Sequence, residues 1–108
     1  MSRVDGVMVE IDWAINPFRG DKFELLWTPA AEAALDYGAT SWSLLRSQEG
    51  GLDFIQLAHF PTKDDFERYW YSEEIAAARV QCAGLFQVPL LPKFHTIAGA
   101  GTMAGVTT

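Results

Sequence analysis

The sequence predicts an α+β protomer of order βαββαβ, with an antiparallel sheet covered on one face by two broken helices. Three observations point there. Residues 7–15 alternate with period two. Two helix-spaced runs begin at capping signals, one at Asp21 and one at Thr62. A short echo, Phe23-Glu24-x-x-Trp27 and Phe66-Glu67-x-x-Trp70, puts one such helix in each half of the chain. Two βαβ halves build a ferredoxin-like sheet.

The first strand spans residues 7–15, with Val7, Val9, Ile11, Trp13 and Ile15 on one face and Met8, Glu10, Asp12 and Ala14 on the other. Asn16-Pro17 and Arg19-Gly20 end it. Asp21 then opens a helix, with Glu24 in capping-box spacing, and Phe23, Leu26, Trp27, Ala30, Ala34 and Leu35 follow helical spacing. Pro29 predicts a kink or restart near Thr28, because proline removes a backbone donor and crowds the preceding turn. Gly38 is placed to stop the helix in a left-handed conformation. The second strand covers 39–48, Glu49-Gly50-Gly51 makes a hairpin turn, and the third strand covers 52–60. That third strand is apolar on both sides apart from Asp53, Gln56 and His59, which predicts cover on both faces.

Thr62 caps the second helix, and Ser72 followed by Glu73-Glu74 predicts a fresh cap and a restart running to Ala83, before Gly84. Pro89 and Pro92 bracket a linker, and residues 93–98 form the fourth strand. Residues 1–98 thus make a single domain, and 99–108 read as a flexible tail of small residues. One layer of helices leaves the other sheet face bare. Val, Ile, Leu and Trp on that face would form a large apolar patch, and two sheets packed face to face in a symmetric homodimer would cover it.

Composition excludes several classes. The chain has 108 residues, 49 % hydrophobic and 20 % charged, a globular composition. Eight basic residues are scattered against 14 acidic ones, for a net charge of −6. That balance gives no concentrated basic footprint for nucleic acid or an anionic membrane surface. No apolar run approaches the ~20 residues of a membrane span, and the start lacks a secretory pattern. The lone Cys82 points to a reducing, cytoplasmic setting. Gly99-x-Gly101-x-x-x-Gly105 lacks the following helix that a phosphate loop needs.

At this point the chain resembles the dimeric α/β-barrel proteins, and among them the antibiotic biosynthesis monooxygenase family. The residues that carry the resemblance are Gly20 to Glu24 at the first helix start, Gly38-Ala39-x-Ser41-x-Ser43-Leu44, and His59-Phe60-Pro61-Thr62-Lys63-Asp64-Asp65-Phe66 with Tyr69 and Ser72. The resemblance covers residues 7–98. It implies a βαββαβ protomer dimerised through its sheets, with a cavity between sheet and helices. It further implies oxidation of an aromatic, polyketide-type phenol or anthrone by O₂ with neither metal nor flavin. A haem-degrading branch of the family carries a Trp and a His in the second helix. Here those positions hold Tyr69 and Arg79, which argues against haem degradation.

The candidate residues follow from these expectations. His59 and His95 are the only histidines, and His59 is the candidate base, since imidazole accepts protons near neutral pH; a structural role is the alternative for each. Asn16 and Trp70 are candidates to hold a developing oxyanion, although Asn before Pro17 is also a common turn residue. Trp27, Trp42 and Tyr69 are candidate walls of an aromatic slot, or else core. Arg79 could pair with an anionic group. With two histidines 36 residues apart and no cysteine pair, no metal site is expected. The leading expectation is a cofactor-free monooxygenase of an aromatic small molecule. An isomerase or cyclase on the same scaffold and a non-catalytic binding protein are the alternatives.

Overall fold

The computed structural model describes residues 4–50 and 53–103, with the backbone alone for Val4. The elements run β1 (Val4–Ala14), α1 (Gly20–Glu32), a 3-10 turn (Ala33–Tyr37), β2 (Ser41–Arg46), β3 (Asp53–Phe60), α2 (Lys63–Trp70), α3 (Glu73–Gln81) and β4 (Lys93–Ile97). The strands form one antiparallel sheet in the order β2-β3-β1-β4, the ferredoxin-like arrangement expected from sequence. Gly51, Leu52 and residues 104–108, parts of the expected hairpin, third strand and tail, lie outside the described residues.

Local signals largely set the helix ends. Thr62 Oγ1 accepts from the Asp65 amide and Ser72 Oγ from the Ile75 amide, both at 3.2 Å, so each cap sits where expected. Gly38 closes the 3-10 turn at φ 99°, a conformation open to glycine. Two expectations are corrected. Arg19, not Asp21, precedes α1, and no side chain caps that end. Asp21 and Glu24 instead both accept from Arg46 of β2, at 2.9 and 3.0 Å. The helix also passes through Pro29 and changes to a 3-10 turn only at Ala33. The carbonyl that Pro29 leaves without a donor belongs to Leu25, on the exposed side of α1, where water can reach it.

The helices cover one sheet face. Val9, Ile11, Trp13, Phe54, Ala58 and Phe60 point into that layer and are buried, together with Phe23, Trp27, Tyr69 and Ile75 from the helices. The opposite face is mixed. Met8, Leu45, Ile55 and Leu57 make an apolar strip across β1, β2 and β3 by register. Beside it Lys93 Nζ reaches Asp12 at 2.7 Å and His95 Nε2 reaches Glu10 at 3.0 Å. The expected Val and Trp side chains are not on this face: by parity they turn to the helix side. In the protomer β3 is accordingly covered on one face only, with Ile55 37 % exposed. Among the described residues no helix is long and apolar enough to cross a membrane.

Candidate functional site

The helix–sheet layer is filled by side chains rather than hollow. Trp13, Trp27, Phe23 and Phe54 interlock with ring centroids 4.7–5.0 Å apart. At their centre stands Gln56, the one buried polar side chain among the described residues. Its Oε1 accepts from the indole N–H of Trp13 (3.2 Å) and of Trp27 (2.9 Å). Its Nε2 donates to the Tyr69 hydroxyl at 3.0 Å, and that hydroxyl donates to the Ala30 carbonyl at 2.8 Å. Burial pushes the Tyr69 phenol far above its ordinary pKa, so it stays a neutral donor. Trp27 and Tyr69 therefore close the core and leave no room there for the slot expected of them. Trp42 packs half-buried on the same layer from β2.

An open, mostly apolar groove lies beside this layer. About 520 Å³ in volume, it runs between α3 and the segment that leads to β4, with Trp70, Arg79, Phe86, Val88 and Leu90 among its walls. The Phe86 segment is held against the end of β1. Ile15 bridges to Phe86, and the Gln87 amide donates to the Ala14 carbonyl at 2.8 Å. Asn16 belongs to this scaffold. Its amide N–H donates to the Leu85 carbonyl (2.9 Å) and its Nδ2 to the Gly84 carbonyl (2.7 Å). Asn16 thus anchors the Gly84–Leu85 start of the segment that carries Phe86.

Two donors converge at the groove. The Arg79 guanidinium stacks on the Trp70 ring, 4.3 Å from the centroid, and its Nη1 donates to the Trp70 carbonyl at 2.8 Å. No ion pair to Arg79 forms among the described residues. Burial lowers its pKa from the ordinary arginine value, yet guanidinium remains charged at any physiological pH. Trp70 differs from Trp13 and Trp27. Its indole N–H has no protein partner among the described residues, and no buried side-chain donor there is left unsatisfied. Trp70 is nearly buried, and its ring forms part of the groove wall.

The histidines lie elsewhere. By register His59 shares the outer sheet face with Met8 and Ser41, away from the groove. Its Nε2 sits 2.8 Å from the Asp5 carbonyl, which can only accept, so in the neutral ring Nε2 carries the proton. Its Nδ1 then accepts from the Thr40 hydroxyl. Gly6 makes this seat possible: at φ 96° it sits in a β-bulge, and a Cβ there would lie 2.4 Å from His59 Nε2. His95 lies on the same outer face beside Glu10. Of the residues singled out from sequence, the structure brings Trp70 and Arg79 together at the groove, and Asn16 is tied to the segment just before Phe86. His59 and His95 lie on the outer sheet face and Trp42 on β2, while Trp27 and Tyr69 stand in the core, each with its ring centroid 6.4 Å from that of Trp70.

No protein-family model matches the sequence, and no curated protein matches it significantly. Solved structures do share the fold. SnoaB of Streptomyces nogalater, a cofactor-independent oxygenase, superposes with a TM-score of 0.74 at 15 % identity, over 95 % of this chain and all of that one. A protein of Mycobacterium tuberculosis gives 0.75 at 15 % identity over 91 % of this chain and all of its own. The structure of an antibiotic biosynthesis monooxygenase gives 0.75 at 12 % identity over 86 % of this chain and 99 % of that one. The chain thus has the fold of the antibiotic biosynthesis monooxygenase structures.

Proposed function

We propose that the protein binds an acidic aromatic small molecule, a phenol or an anthrone-type ring, in the Trp70–Arg79 groove and oxygenates it with O₂ without a cofactor. One observation carries this reading: an arginine with no ion-pair partner among the described residues, stacked on an indole whose own N–H has no protein partner among them, in an otherwise apolar groove. An aromatic ring can lie along Phe86 and Leu90 while its oxygen meets the guanidinium and the indole N–H. Both donors favour the deprotonated oxygen and so raise the share of the electron-rich anion. That anion supplies the electrons. When an anthrone CH₂ becomes a carbonyl, two C–H bonds break, and when a phenol becomes a quinone, its O–H and one ring C–H break; in both, about four electrons pass to O₂, one oxygen atom stays on carbon and the other leaves as water. The family resemblance and the fold of SnoaB support the same chemistry.

No step is assigned to His59, which lies across the sheet. Among the described residues the groove walls include no histidine or carboxylate, so the substrate proton passes to water. This same feature favours the second reading, binding without turnover. The two separate with 1-naphthol and an anthrone as probes. Under nitrogen both readings give saturable quenching of tryptophan fluorescence. In air only the first gives O₂ uptake above the protein-free rate, one O₂ per ring. Failure of both probes to bind overturns the site assignment.

The protomer is further proposed to pair with a second copy through the outer sheet face. The Met8–Leu45–Ile55–Leu57 strip supports this, because a bare apolar sheet face is costly in water. Light scattering is expected to give a mass near twice 12.0 kDa. A mass near 12.0 kDa at micromolar concentration would sink the pairing.

A further inference from the structure

The turn after β1 holds a residue at a backbone cost that nothing in the protomer repays. The Arg19 amide donates to the Asn16 carbonyl at 3.1 Å, closing a four-residue turn with Pro17 second and Phe18 third. Phe18 has φ 65°, the left-handed region that suits glycine or asparagine at this turn position and strains a bulky side chain. Its ring is fully exposed and gains no packing. An exposed aromatic on a strained backbone is accounted for by a contact made outside the protomer.

Position says which contact. The turn is fastened through Asn16 to Gly84 and Leu85, the residues just before Phe86. Ala83 and Phe86 both line the groove, and Phe18 is two residues from Asn16, within about 7 Å of chain. Val80 and Val88, at the same groove, are also largely exposed, so the mouth has an apolar rim that no side chain covers.

We propose that Phe18 is a binding residue of the groove: its ring turns onto the exposed face of a bound aromatic molecule and shields it from water. This rests on the groove being the ligand site. The left-handed turn aims the ring away from the protein's own core, which keeps it free to make that contact. Edge or face stacking on the ligand then supplies what the protomer alone does not.

The test is 1-naphthol binding under nitrogen, followed by tryptophan quenching, with thermal melting of each variant. Phe18→Gly and Phe18→Ala are each expected to bind about five- to tenfold more weakly than wild type. Phe18→Gly is expected to melt no lower than wild type, since glycine accepts the turn without strain. Arg79→Met marks the groove itself. If Arg79→Met loses binding while both Phe18 variants bind like wild type, the Phe18 assignment falls and the groove stands. Wild-type protein that binds no naphthol overturns both.

Discussion

Gln56→Leu is expected to lower the unfolding free energy by about 3 kcal/mol, and the melting temperature by roughly 15 °C. Leucine nearly matches the glutamine in bulk, so little cavity forms. The loss comes from polar groups. Trp13 and Trp27 both aim their indole N–H at Gln56 Oε1, and both are buried. Leucine strands them, at about 1–3 kcal/mol for each orphaned donor. The Tyr69 hydroxyl keeps its bond to the Ala30 carbonyl and is not stranded. Removing the buried amide itself recovers part of the cost, which is why the expected total stays near 3. Denaturant unfolding of Gln56→Leu beside wild type makes the measurement. A difference below about 1 kcal/mol would mean that the amide contributes no more than its volume.

Arg79→Met should have the second large effect, on the ligand rather than on the fold. Methionine keeps an apolar stem over Trp70 but removes the charge. Affinity for an acidic aromatic is expected to fall about 10- to 100-fold, the range of one charge-assisted hydrogen bond, and O₂ uptake with it. Stability should move little, or rise. Burial disfavours the guanidinium charge, no carboxylate among the described residues offsets that, and the loss of one bond to the Trp70 carbonyl is small beside it. Equal naphthol affinity in Arg79→Met and wild type would remove the basis of the proposed function. Arg79→Lys should fall between, since an ammonium keeps the charge without the planar stacking.

Much of the fold was legible because its signals are local. Period two in residues 7–15, the Thr62 and Ser72 caps and the Gly38 stop each depend on neighbours a few residues away. The Phe-Glu-x-x-Trp echo also has a structural counterpart: Trp27 and Trp70 lie 6.4 Å apart and both touch Trp13. The site was less legible. Core and pocket aromatics read alike along the chain, and only packing distinguishes Trp27, tied to Gln56, from Trp70, open on a groove. Gln56 carried a readable signal that spacing alone offers. It shares the parity of Phe54, Ala58 and Phe60, so a lone amide was bound inward among apolar side chains, where it must find partners. Of the groove residues, Leu90 falls in the linker that Pro89 and Pro92 bracket, and Phe86 and Val88 fall in no expected element, because an isolated bridge to Ile15 leaves no periodic trace. His59 alternated outward on β3 by the same parity that sent Gln56 inward.

The middle position of β1 has a bearing on how the molecule is made. It leaves the ribosome before both of its neighbours, β3 and β4, and Glu10 meets His95 across 85 positions. One rim of that earliest strand must wait, unzipped, until the closing segment has been synthesised. The time taken to translate from β1 to β4 thus sets how long a nascent chain stays sticky, and whether a chaperone reaches it before another chain does.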